Sequence, residues 1–81
     1  MAVLSVQRRG SRGTDTELLQ LALNRAGYLS EKPDGIFGPR TEAAVFRFQS
    51  DFGLLRDGIV GAQTWTALTP YLTGYRVHTV R

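Results

Sequence analysis

Residues 34–49 read DGIFGPRTEAAVFRFQ, and the chain writes much of this a second time, as DGIVGAQTWTALTPYL over residues 57–72. At an offset of 23 the two stretches share Asp34/Asp57, Gly35/Gly58, Ile36/Ile59, Gly38/Gly61, Thr41/Thr64 and Ala44/Ala67. An internal repeat decides a fold before any single element is weighed. Each copy reads as a tight Asp-Gly turn, one buried Ile, a second Gly and then a helix. Pro39 suits the first helical position, where a missing N–H costs nothing and a fixed φ is already helical. The helix that follows carries Thr41, Ala44, Val45 and Phe48 on one face. Gly53 ends it, with Leu54 placed to pack on Phe48 or Gln49. A third helix is expected over about residues 62–69, closed by Pro70.

Upstream, Gly10-Ser11-Arg12-Gly13 reads as a turn, and Thr14-Asp15-Thr16-Glu17 has the spacing of a capping box. Leu19, Ala22, Leu23 and Ala26 then form a helical stripe, widened by Leu18 and Leu21. Gly27 is expected to stop this helix in a left-handed conformation, with Tyr28 folding back on Leu23. Residues 30–35 are loop. Residues 1–9 alternate weakly and are expected to be extended, with Leu4 docking on the core. The expected fold is all-α: an orthogonal three-helix bundle with an internal repeat and short extended termini. The domain is assigned to residues 1–73, and residues 74–81 to an extended tail, a linker or the start of a following module.

A chain of 81 residues holds one domain and one core. At 42% hydrophobic residues it has the apolar content of a globular protein. There is no cysteine, so neither disulfides nor thiolate metal sites contribute. Residues 1–7 lack the apolar core of a signal peptide, so a signal for export would lie outside this chain. No apolar run approaches the length that crosses a membrane. The net charge of +3 comes from nine Arg and one Lys against seven acids. Arg8, Arg9 and Arg12 cluster, but the basic residues form no single helical stripe and read as ordinary surface charge.

The pattern D-G-I-F-G-P-x-T-x-x-A-V-x-x-F-Q resembles the small helical peptidoglycan-binding domain of cell-wall enzymes. The second half follows as Gly53, Leu54, Asp57–Gly61, Thr64, Trp65 and Leu68, and the upstream Gly10, Ser11, Gly13, Leu19, Gln20, Leu23, Gly27 and Tyr28 also fit. The resemblance covers roughly residues 4–72 and implies a non-catalytic, wall-anchoring module fused to a hydrolase or similar enzyme. It further implies an extracellular or envelope location and a bacterial or phage source. Two positions depart from the family. Phe46 stands where a polar or basic residue is usual, and Thr16 where a branched apolar one is; a hydroxyl there is expected to weaken packing.

Catalytic chemistry finds little to work with. His78 is the one histidine, there is no nucleophile motif, and too few ligands are spaced for zinc. Asp34 and Asp57 could pair as glycosidase carboxylates, but a carboxylate before Gly in a turn commonly accepts from N–H groups two residues on. Thr41 and Thr64 are expected to bond the adjacent turns, and Trp65 to be core rather than a sugar platform. No cofactor, metal, nucleic acid or membrane is expected, and the chain is expected to be a monomer. A ligand groove is expected where Tyr28, Asp34, Phe37, Arg40 and Thr41 converge, with Tyr28 and Phe37 as walls and Arg40 as the anion contact. Phe46 is a further, exposed contact candidate. On the resemblance, the ligand is peptidoglycan, by its stem peptide or glycan. Two rival functions are a nucleic-acid-binding helical domain, suggested by the Arg excess, and an interaction or pro-domain module regulating a partner enzyme.

Overall fold

The computed structural model describes residues 4–72. The first helix, α1, spans Thr14–Arg25, α2 spans Pro39–Asp51 and α3 spans Ala62–Leu68, followed by a 3-10 turn over Thr69–Leu72. Among the described residues the only extended pairings are two isolated antiparallel bridges, Gln7 with Val60 and Arg12 with Ile36. The expected all-α, three-helix architecture is therefore the one observed. Residues 74–81, expected to be a tail, lie outside the described residues.

All three helices begin in the same way. A glycine (Gly13, Gly38 or Gly61) precedes the first turn with no side-chain cap. Its carbonyl takes the first helical bond, from Glu17, Glu42 and Trp65 respectively. The capping box expected at Thr14 does not form, because Thr14 is already inside α1. The reason is tertiary. The Gly13 N–H is held by the Gly35 carbonyl at 2.9 Å, and Ser11 accepts from Phe37 at 2.9 Å. Pairing with the first Asp-Gly turn thus sets where the helix may start. The helix ends follow expectation: Gly27 (φ 88) and Gly53 (φ 67) are left-handed. Tyr28 then donates its N–H back to the Leu23 carbonyl, and Leu54 to that of Gln49. The third helix stops one residue early, at Leu68. The chain continues in a 3-10 turn with Pro70 as its second residue, a position that needs no N–H from the proline.

The core gathers Leu19, Ala22 and Leu23 of α1, Ala44, Val45 and Phe48 of α2, and Trp65 and Leu68 of α3, closed by Leu4 and Leu72. Trp65 is 1% exposed and donates its indole N–H to the Ser5 carbonyl at 2.9 Å, so it is core, as expected. The buried turn residue is not the isoleucine. Ile36 is 44% exposed, whereas Phe37 and Val60, one residue further on, are buried. Residues 36 and 60 bridge the amino-terminal segment, and side chains along an extended strand alternate faces. That alternation sends Phe37 inward and leaves Ile36 at the surface.

Candidate functional site

Two buried glutamines shape the two turns. Gln20 of α1 donates Nε2 to Asp34 Oδ1, the Ile36 carbonyl and Thr41 Oγ1 at 2.9–3.1 Å. Its Oε1 accepts the N–H groups of Asp34 and Gly35, both at 2.9 Å. Gln49 of α2 repeats this with Asp57 Oδ1, the Ile59 carbonyl and Thr64 Oγ1, and accepts from Gly58. In each turn the aspartate Oδ1 also takes the N–H two residues on, from Ile36 or Ile59 at 2.9 Å. A primary amide suits this place because it offers two donors and an acceptor without carrying charge into the core. Thr41 and Thr64 accordingly bond the glutamines rather than the turns themselves.

The glutamine role was not anticipated from sequence, although a signal exists. Gln20 lies beside Leu19 and Leu23, and Gln49 beside Phe48, where an apolar stripe should have no amide. A third pair joins them: Thr16, fully buried, donates its hydroxyl to Gln7 Oε1. Thr16 follows Gly13 by three residues, as Thr41 follows Gly38 and Thr64 follows Gly61. Its hydroxyl pins the amino-terminal segment, correcting the expectation that it would only weaken packing.

Outside the first network lies an open groove of about 580 Å³, lined by Asp34, Ile36, Arg40 and Thr41 together with Leu29, Glu31 and Lys32. A neighbouring depression of about 230 Å³ is lined by Tyr28, Ala43 and Arg47. Leu29, Glu31 and Arg40 border both, so they form the divide between them. The structure thus places Asp34, Arg40 and Thr41 along the groove and Tyr28 in the neighbouring depression, with Arg40 between them. Phe37 does not join them: at 1% exposure it is core and cannot be a groove wall. Phe46 sits at the other turn, its ring covering Gly58 with the Arg56 guanidinium 5.0 Å from the ring centroid.

Each groove residue has a defined electrostatic setting. Arg40 pairs with Glu31, and both side chains are well exposed. The Asp34 carboxyl is held below the usual aspartate range, first by the Ile36 N–H and then by the Gln20 amide. Tyr28 donates its hydroxyl to Asp51 at 2.7 Å, and this bond, aided by the Asp51 charge, raises the phenol above its ordinary value. Its ring meets Phe48 edge-on with centroids 5.4 Å apart. No side chain caps α2, and Pro39 lacks an N–H, so the Arg40 and Thr41 N–H groups form the positive end of the helix beside the groove. Among the described residues no group of three or more His, Asp or Glu is arranged to hold a metal ion. The arrangement offers donors for an anion, with two exposed carboxylates, Glu31 and Asp34, beside them.

Comparison with known proteins gives this geometry a context. A family model for the peptidoglycan binding domain matches residues 12–68. An uncharacterized protein of Kitasatospora aureofaciens is 47% identical over 57 residues, covering 69% of this chain and 48% of its own length. The spore cortex-lytic enzyme of Bacillus subtilis (strain 168) is 47% identical over 60 residues, covering 73% of this chain and 20% of the enzyme. The chain therefore spans about half of one of these relatives and a fifth of the other. The crystal structure of the SleB N-terminal domain superposes with a TM-score of 0.80 at 40% identity, covering 85% of this chain and 96% of that one. With the family model matched over most of the chain and the fold shared with a near-complete solved domain, this chain belongs to the peptidoglycan-binding domain family.

Proposed function

We propose that the chain is a non-catalytic module that binds peptidoglycan through the groove beside the start of α2 and carries an attached lytic enzyme to its substrate. The observation behind this reading is the convergence of Arg40, the open end of α2 and Thr41 on one groove, where a stem-peptide carboxylate finds fixed donors. Family membership supports the ligand class. The lytic relative's remaining length, some four-fifths of it, supports catalysis by a separate domain. A weak site is sufficient for such a role, because tethering raises the local concentration of the catalytic domain on an insoluble polymer. Residues 1–73 would form the module and residues 74–81 the link onward. It would act in the bacterial or phage-attacked envelope after export, as a monomer that needs neither nucleic acid nor membrane. The two Asp-Gly turns would descend from one duplicated unit.

The experiment is a pull-down with purified sacculi, stripped of acidic polymers, at low and physiological salt. Retention at physiological salt, reduced severalfold in Arg40→Ala, is the expected result. Loss of the wild-type domain at physiological salt would reduce the reading to charge attraction. Unchanged retention of a folded Arg40→Ala variant would remove Arg40 from the site.

A further inference from the structure

We infer that the open face of the Phe52 ring is a stacking platform for an N-acetylhexosamine of the glycan strand, separate from the groove. The inference rests on peptidoglycan as the ligand but on none of the groove residues. A hexosamine presents an apolar face of ring C–H groups, and an electron-rich aromatic face attracts them. The described residues offer few such faces. Phe37, Phe48 and Trp65 are at most 1% exposed. Phe46 lies over Gly58 and has the Arg56 guanidinium above its ring. Tyr28 and Tyr71 are partly buried against the core. Among the large apolar side chains that stay exposed, Val6, Ile36 and Leu55 are aliphatic, and Phe52 is the one with a ring.

Its surroundings make this ring a platform rather than a stray apolar side chain. Phe52 caps α2, and its N–H is bonded to the Phe48 carbonyl at 3.0 Å, so its place is fixed. One face of the ring lies on the buried Phe48 ring, with centroids 4.2 Å apart and planes 23° from parallel. The opposite face is therefore the one turned to solvent. Tyr28 stands at the edge of the ring, 6.5 Å away, and donates its hydroxyl to Asp51 at 2.7 Å. An oriented, exposed carboxylate thus flanks the open face, where sugar hydroxyl and acetamido N–H groups can donate to it. Arg47, one turn earlier on α2, is engaged with the Tyr28 carbonyl at 2.7 Å. A neutral sugar finds an apolar face and an acceptor together, with no charge of its own to balance. Tyr28 also lines the depression that meets the groove at Arg40, which links the platform to the stem-peptide contacts.

The test titrates chitotetraose, a neutral and peptide-free N-acetylglucosamine oligomer, into the 81-residue chain by NMR. Shifts are expected at Tyr28, Asp51 and Phe52 and not at Arg40 or Thr41, with an affinity that salt leaves unchanged. Phe52→Leu keeps an apolar cover on Phe48 but removes the flat face. It should weaken chitotetraose about three- to tenfold with little change in melting temperature, whereas Phe52→Tyr should keep the affinity. Absence of chitotetraose shifts at Phe52, or equal affinity in Phe52→Leu, would overturn the platform and leave the groove reading to its own test. Chitotetraose shifts confined to Arg40 and Thr41 would overturn it as well, by placing the glycan in the groove. Intact shifts at Phe52 in a domain that sacculi do not retain at physiological salt would sustain the platform and sink the groove reading.

Discussion

The two Asp-Gly turns are alike inside and different outside. Inside, Gln20 and Gln49 donate to the same three kinds of oxygen, and Asp34 and Asp57 each take an N–H two residues on. Outside, the first turn borders Glu31, Lys32 and Arg40, whereas the second borders Leu54, Leu55 and Gln63 around a smaller hollow of about 200 Å³. A buried amide network tolerates little change because every group left unpaired is penalised. The rim carries no such constraint. One backbone design therefore yields a charged groove at one turn and a largely uncharged hollow at the other.

The comparison can be broken most forcefully at the glutamines. Gln20→Leu leaves two turn N–H groups and three oxygens without their partner, and is expected to lose about 2–4 kcal/mol in urea unfolding. Gln49→Leu strands one N–H fewer and should lose somewhat less. A loss below about 1 kcal/mol in both would show that the network does not frame the turns. A reversed order would show that the second turn is held more firmly than the first.

The glycines sharpen the contrast at intermediate size. Gly35 (φ 76) and Gly58 (φ 74) are both left-handed, so alanine at either should lose about 1–2 kcal/mol from the backbone alone. The surroundings differ. A Cβ on Gly35 would meet the Glu17 side chain at 3.1 Å, a flexible neighbour, whereas one on Gly58 would meet the Phe46 ring at 3.0 Å. Gly58→Ala should therefore lower the melting temperature more than Gly35→Ala. In a Phe46→Ala background the excess should vanish; if it persists, the ring is not its source.

The smallest effect expected is the pH response of Asp34. Its pKa is lower in the folded state than in the unfolded chain, so the associated stability is present above the unfolded value. That stability is lost as pH falls through the folded one. Asp34→Asn should flatten the acid side of the melting-temperature profile, below the usual aspartate range. An unchanged acid limb would place the acid sensitivity elsewhere.

Much of this is legible in the sequence. Helix faces, the glycine stops at Gly27 and Gly53 and the matched turns are local or periodic, so a single chain displays them. Part of the groove lining was legible too, since Asp34, Arg40 and Thr41 border it, whereas Tyr28 falls in the neighbouring depression. The assignments that failed depend on partners distant in sequence. Phe37 rather than Ile36 turns inward where its backbone is held by Gly10 and Ser11, and α1 starts after Gly13 because Gly13 bonds Gly35. Phe46, read as an exposed contact, is half-buried with its ring over Gly58, and Thr16 finds Gln7.

By itself, then, the sequence determined where helices form, where they stop and that two turns are built alike, because propensity and periodicity act over neighbouring residues. Only the tertiary structure decided which side chains enter the core, which amide satisfies which turn, and which charges meet at the rim. Those outcomes require backbone segments such as Gln7 and Val60, or Ser5 and Trp65, to be brought together across most of the chain, and nothing in either local stretch specifies the other.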